Sequence, residues 1–526
     1  MSIGTNLAGA VDNWGANDAL VDVAAGRRWS YAQLLESVRG LATGMLAAGI
    51  RPGDRVGVWA PNGWQWVLVQ YAVSEIGAVL VSINPAYQER ELEYALRQSG
   101  AAMVIAGTGS GAGFRGVDYG TTLAHVAPRC PNLTEAVLLN SERWAELAGT
   151  CADPVALRKI AGKLHNTDPI NIQYTSGTTG APKGVTLSHR NILNNGYLVG
   201  ELLEYTAADR ICLPVPLYHC FGLVMGNLAA TTHGAAIVLP GPGFDAAATL
   251  AAVEAERCTS LYGVPTMFIA ELGLTDFYDY DLSSLRTGIM AGASCPIKLM
   301  CKVIERMHMP EVSICYGMTE TAPVATQTRS GDSVELRVST VGRVGPHLEV
   351  KVVNPANGQT TPRGEVGEFC TRGYSVMAGY WDDPGRTAEV VDGEGWMHTG
   401  DLASMDDDGY VRISGRIKDI VIRGGENISP REVEEFLHTH PDIVDGHVIG
   451  VPDARYGEEL MAVVKMRDGA PELTVEALRE FCAGQIAAFK IPRYLWTVDE
   501  FPMTVSGKVR KVELRQLAAE RLREGR

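Results

Sequence analysis

At 526 residues the chain is too long for one ordinary core, so two or more domains are expected. Hydrophobic residues make up 46% and charged residues 20%, the balance of a soluble globular protein. The net charge of −15 excludes a general nucleic-acid binder, which needs a basic field; a polyanionic substrate would have to meet local basic residues.

Met1–Asp18 has neither a basic n-region nor an apolar core, so no secretory or transit peptide is read there. Ten cysteines are scattered without C-x-x-C pairs, which argues against structural zinc and for reduced thiols in the cytoplasm. Two apolar runs, Val67–Ile83 and Phe221–Leu239, are interrupted by Gln70, Glu75, Asn227 and His233 and read as buried core rather than membrane spans.

From Arg28 to Ala106, strand-like and helix-like segments alternate: a strand at Arg28–Tyr31, a helix at Ala32–Ala48, strands at Arg55–Trp59 and Val79–Ile83 with a helix between, a helix at Arg90–Ser99 and a strand at Met103–Ala106. This is an α/β pattern. Gly107–Ala112 then matches a loose G-x-G-x-x-A dinucleotide fingerprint. The sequence after it is not helical, so the run is read as a loop and a nucleotide-dependent dehydrogenase is the disfavoured alternative.

Tyr174–Gly184 reads Y-T-S-G-T-T-G-A-P-K-G between two strand-like runs. Glycines let backbone N–H groups approach a phosphate, hydroxyls add donors and Lys183 adds charge. The spacing is not that of a Walker loop, and the setting is strand–loop–strand rather than strand–loop–helix. Further on, Asn191–Leu203 is helical, strands and helices alternate to Cys315, and Val341–Thr371 breaks into short β runs. A hairpin is expected over Trp396–Ile413. Ser429-Pro430-Arg431-Glu432 is a capping-box sequence opening a helix to about His438. The last stretch is a small α+β unit.

Five motifs in order carry a resemblance. They are Thr175–Gly184, Tyr316-Gly317-Met318-Thr319-Glu320, His398-Thr399-Gly400-Asp401, Gly415-Arg416-Ile417-Lys418-Asp419 and Pro502–Lys508. Together they resemble the adenylate-forming superfamily of acyl- and aryl-CoA synthetases, luciferase and nonribosomal peptide adenylation domains, over nearly the whole chain. The resemblance implies an α/β N-terminal domain over 1–417, built of α/β subdomains plus a small β subdomain. It also implies a small mobile α+β C-terminal domain over 418–526 that carries a catalytic lysine.

By the same resemblance, Thr175, Ser176, Gly177, Thr178, Thr179, Gly180 and Lys183 hold ATP phosphates. Gly292, Ala293, Ser294, Tyr316, Gly317, Met318 and Thr319 surround adenine and the α-phosphate. Asp401 accepts the ribose hydroxyls with Arg416 beside it, and Glu320 is the Mg²⁺ ligand. Lys508 bridges carboxylate and α-phosphate; Thr175, Glu320 and His219 complete the catalytic set. Asp419 is the hinge of a domain rotation that brings Arg423, Gly424 and Gly425 to CoA.

The acid is expected in an apolar pocket of His219, Phe221, Gly222, Val264, Met267, Gly288, Met318 and Pro323. No Asp or Lys stands in those stretches to clamp an amino acid. Asn84–Gln88, Pro216–Gly222 and Tyr316–Pro323 most resemble medium-chain fatty acyl-CoA synthetases. The implied function is ATP-dependent activation of a medium-chain fatty acid to acyl-AMP, then transfer to CoA. The alternative acceptor is a carrier-protein phosphopantetheine. Assembly as a homodimer is left open.

Overall fold

The computed structural model describes the chain apart from residues 109–115, 176–181, 294, 424–425, 454, 505–507 and 524–526 and the side chain of Asn427. Among the described residues the strands form sheets of nine, seven, four and five strands.

The nine-stranded sheet has a parallel centre: Asp18–Asp22, Ala236–Leu239, Arg210–Cys212, Ser260–Gly263, Thr287–Ala291 and Glu311–Gly317 lie side by side. The seven-stranded sheet has Val79–Ile83, Arg55–Trp59, Met103–Ala106 and Glu135–Leu138 in parallel, then adds the hairpin Pro169–Thr175/Lys183–Ser188 at one side. Side-chain alternation sends each strand into two cores. Val58 joins the core shared by both sheets, whereas its neighbour Trp59 joins the core on the outer face. Ile289 and Met290 divide in the same way between the shared core and the outer face of the larger sheet.

Helix Trp64–Glu75 is buried almost all round because it lies in the shared core. Both interrupted apolar runs are core elements, as expected, and no described helix is long and apolar enough to cross a membrane. The second run holds an element that its composition does not announce: Phe221–Leu228 is a fully buried π-helix. Its polar breaks are partners. Asn227 Nδ2 donates to Gln70 Oε1 (2.8 Å), and Gln70 Nε2 donates to the Leu223 carbonyl (3.1 Å). The N-terminal helix Ile3–Trp14 carries no apolar run that would have flagged it; Ile3, Leu7 and Ala10 bury one face in the shared core.

The small β unit pairs Leu348–Val353, Gly367–Gly373, Met397–Met405 and Val411–Arg416 antiparallel. Beyond it a hairpin, Ile443–Asp453/Gly457–Met466, takes Val421–Arg423 and Tyr494–Thr497 as neighbours. Helices Pro430–Leu437 and Val475–Cys482 cover one face of this last sheet and Lys511–Arg523 the other.

The capping box at Ser429 does not form. The Ser429 hydroxyl donates instead to the Ser414 carbonyl, and Glu432 pairs with Lys490 Nζ at 2.5 Å. A tertiary contact to the preceding β unit outcompetes the local cap.

Candidate active site

The hairpin Pro169–Thr175/Lys183–Ser188 is the frame of the phosphate-loop motif. Thr175 pairs directly with Lys183, so these two residues of the motif stand opposite each other at the end of the described hairpin. Ser176, Gly177, Thr178, Thr179 and Gly180 lie outside the described residues. Both arms are pinned to helix Glu89–Ser99. Tyr174 Oη donates to Gln98 Oε1 (2.6 Å), and Tyr94 Oη donates to the Pro182 carbonyl (2.9 Å).

Lys183 and Glu320, the phosphate lysine and metal carboxylate of the resemblance, meet at a residue that sequence reasoning missed. The Lys183 ammonium lies 4.8 Å from the centroid of the Tyr380 ring. The Tyr380 hydroxyl donates to Glu320 Oε1 at 2.9 Å. Burial, reinforced by the Glu320 charge, raises the Tyr380 pKa far above that of a free phenol, so it remains a donor. Tyr380 reaches this place because Gly379–Tyr380 adds to the edge of the hairpin, with Tyr380 opposite Val185.

Asp401 is aimed by a bulge. Glu368 pairs with Leu402 and Cys370 with His398, so four residue steps on one strand face two on the other. The surplus turns out through Gly400, which needs its φ of +71°. Asp401 then accepts from Tyr316 Oη at 2.8 Å and from Arg416 Nε at 3.0 Å, each on a separate oxygen. Each oxygen keeps a further acceptor position, which fits a vicinal diol. The Tyr316 ring stands edge-on to Phe369 at 5.2 Å.

Lys508 comes from the C-terminal unit. Its Cε would lie 3.5 Å from a Cβ added at Gly292, and the same Cβ would meet Val264 at 3.2 Å, so the bare glycine leaves a cradle there. Burial and the neighbouring Arg416 charge lower the Lys508 pKa; Asp401 and Glu320 oppose them. His219 is lowered to about 3 by burial and then by the Lys508 charge, so its ring is neutral near pH 7. Among the described residues no carboxylate makes an ion pair with Lys508, which leaves its charge for an anion. Thr319 and Glu320 sit buried in a short turn, and Met318 packs against the shared core. Gly317 lets the Pro323 carbonyl approach: a Cβ there would collide with that oxygen. Ala293 is exposed beside Gly292, and Ser294 lies outside the described residues.

Phe221, Val264 and Met267 share one core cluster, with Tyr262 stacked 5.6 Å from Phe221 as a member that was not foreseen. Gly222 lets the π-helix close onto the Pro216 carbonyl. Gly288 does not join this cluster. A Cβ there would point at the Leu261 carbonyl and the Met309 methyl, on the outer face of the sheet with Met290. Strand alternation, invisible in a run of small residues, decides this. A buried amide ladder ties the π-helix to the phosphate hairpin: Asn171 Nδ2 donates to Ser82 Oγ (3.1 Å), Gln173 Nε2 to Asn171 Oδ1 (2.8 Å) and Cys220 N to Gln173 Oε1 (3.0 Å).

Arg423 is not at the site in this arrangement. Its guanidinium closes on the fully buried Glu459 (2.8 Å) and on the Phe489 carbonyl (2.7 Å). Gly424 and Gly425 lie outside the described residues. Asp419 accepts from Arg515 Nη2 at 2.6 Å, a partner the motif did not contain.

The chain belongs to the AMP-binding enzyme family, whose main domain matches residues 7–381 and whose C-terminal domain matches residues 432–508. Among individual proteins it is 46% identical over 541 residues to YngI of Bacillus subtilis (strain 168), provisionally named an acyl-CoA synthetase, covering 99% of this chain and 97% of that one. It is 42% identical over 538 residues to the mitochondrial medium-chain acyl-CoA ligase ACSF2 of Danio rerio, covering 98% and 88%. The fold matches ATP-bound MatB from Rhodopseudomonas palustris with a TM-score of 0.87 at 29% identity, covering 99% of each chain.

Proposed function

We propose that this chain is an AMP-forming fatty acid–CoA ligase acting on medium-chain acids, with ATP, Mg²⁺ and CoA as its small-molecule partners. The observation that carries the reading is the placement of Lys508, from the C-terminal unit, against Gly292, where the charges of Glu320, Asp401 and Arg416 act on it and its own acts on His219. The names of the relatives agree with it.

A carboxylate is a poor electrophile. In the first half-reaction its oxygen attacks the α-phosphorus of ATP and pyrophosphate leaves. Two anions must approach, and Lys508 neutralises both. Thr175 and Lys183 hold the departing phosphates at the hairpin tip, Tyr316 lays its ring on adenine and Asp401 takes the ribose hydroxyls. Mg²⁺, when bound, shields the phosphate charge, and Glu320 is the residue that would hold it, through the oxygen Tyr380 leaves open. In the second half-reaction the thiol sulfur attacks the acyl carbon, AMP leaves and the thiol proton passes to solvent.

The acyl chain lies against Phe221, Val264, Met267 and Tyr262, with neutral His219 at the mouth. That lining carries no charged group and suits an unsubstituted acid. We place the domain boundary at 417/418, in the turn Ile417–Asp419 that follows strand Val411–Arg416. Rotation about Asp419 would withdraw Lys508 and expose a route for the pantetheine arm. Ten free cysteines accord with the reducing cytoplasm.

The test is AMP release from ATP with acids of graded length, octanoate included, with CoA or a phosphopantetheinylated carrier protein as acceptor. CoA-dependent release peaking at medium length is expected. Release that needs the carrier protein would assign the acceptor otherwise.

A further inference from the structure

Beside the nucleotide site stands a side-chain cluster that the reaction does not use. Cys370 and His398 face each other across two paired strands, and Glu368 sits two residues from Cys370. His398 Nδ1 is 2.8 Å from Glu368 Oε2 and 3.5 Å from Cys370 Sγ. The three donor atoms all lie within 4.8 Å of one another. The opposite ring nitrogen, Nε2, faces Asp392 Oδ2 at 3.7 Å. Asp392 is itself held in place, since its Oδ1 accepts from the Glu394 and Trp396 amides at 2.9 Å each.

We infer that Glu368, Cys370 and His398 form a three-ligand site for a thiophilic divalent cation of the zinc class, with Asp392 orienting the histidine from behind. Zinc bonds of about 2.3 Å to sulfur and about 2.0–2.2 Å to nitrogen and oxygen, at tetrahedral angles, put ligand atoms roughly 3.3–3.7 Å apart. The sulfur–nitrogen separation already has that value. The Glu368–His398 separation is that of a shared proton, and the ion takes the proton's place with an opening of under about 1 Å.

The charges also balance. The dication meets one thiolate and one carboxylate, so the three-ligand site becomes neutral as the Cys370 proton leaves to solvent. Asp392 stands 3.7 Å behind Nε2, and closing that gap would give the carboxylate–histidine–metal arrangement that fixes a ligating tautomer, with Nδ1 released from Glu368 to the metal. His398 is one-third exposed on its side chain, which provides a path in and an open fourth position for water. The site is separate from Glu320. It is linked to the nucleotide site through Glu368 Oε1, which accepts from the Gly400 amide at 3.0 Å next to Asp401.

The experiment uses Co²⁺ as probe on the full chain, without ATP, in a Cys151→Ser background because Cys151 is exposed. One equivalent of Co²⁺ is expected to give a thiolate-to-cobalt charge-transfer band with the intense visible bands of tetrahedral cobalt, and one equivalent of Zn²⁺ to abolish both. Cys370→Ser should remove the charge-transfer band while leaving the metal-free thermal midpoint in place. Asp392→Asn should keep the band but weaken binding by tenfold or more. If Cys370→Ser does not fold, Glu368→Gln takes its place and should weaken cobalt binding at least tenfold. Absence of a thiolate band at one equivalent, or a band that survives Cys370→Ser or an affinity unmoved by Glu368→Gln, overturns the inference.

Discussion

Arg515→Met isolates the hinge. Asp419 and Arg515 pair at 2.6 Å with side chains 26% and 29% exposed. Methionine keeps the aliphatic stem and removes the charge. A charge-assisted hydrogen bond is worth about 1.5–3 kcal/mol when shielded, and an exposed pair under about 1 kcal/mol, so this partly shielded pair contributes about 1–2 kcal/mol. If the pair exists only while Lys508 is in the site, its loss shifts the balance of domain orientations by roughly 5- to 30-fold. The assay separates the half-reactions: pyrophosphate release without CoA, and CoA-dependent thioester formation from supplied acyl-AMP. The first should fall by that factor and the second should hold or rise, with Arg515→Lys partly restoring the first. An equal fall in both, or no change in either, would show that the ion pair does not track the orientation and would refute the reasoning.

Lys508→Ala should nearly abolish acyl-AMP formation yet spare thioester formation from supplied acyl-AMP; comparable loss of both steps would contradict its assignment. Tyr380→Phe leaves Glu320 Oε1 without its donor and should lower kcat/KM for ATP about tenfold, with a higher Mg²⁺ requirement. Unchanged Mg²⁺ dependence would count against Glu320 as the metal ligand. In the C-terminal unit, burial lowers the pKa of His447, but Asp445 (3.5 Å) and Glu434 (3.8 Å) overcome it and raise it from 6.5 to about 9. That contribution to stability is complete below pH 6.5 and lost as pH rises through about 9. Glu434, which burial would raise, is held at about 2 by Lys511 and His447, so its contribution is complete above pH 4.5 and lost as pH falls through about 2. His447→Asn should flatten the alkaline limb of a thermal-midpoint profile and shift the acid limb only in part, because Lys511 still holds Glu434 down. Gly288→Ala drives a Cβ onto the Leu261 carbonyl and should cost about 1–3 kcal/mol or more, read as a lowered denaturation midpoint.

Much of the site was readable because its chemistry is written in short local runs. Tyr316 through Glu320 and Thr399 through Asp401 each bring several donors or acceptors within a few residues, where one turn suffices to present them. Tyr380 and Arg515 were not readable, since each acts through a partner 60 and 96 positions away, respectively. The Gln70–Asn227 pair left a trace, as two amides interrupting apolar runs, but nothing in either run names the other as its partner.

The sequence by itself determined the α/β alternation, the hairpin around the phosphate motif, the apolar runs as core and the family. These follow from periodicity and from contiguous residue types, which act over a few positions. Only the tertiary structure decided which face each residue serves and which local preferences survive. It turned Gly288 away from the acid cluster through strand alternation. It withheld Ser429 from its cap in favour of Ser414, and locked Arg423 onto Glu459 inside the C-terminal sheet. A hydrogen bond or an ion pair is governed by distance in space, and the chain's order along the sequence sets that distance only within a turn or a hairpin.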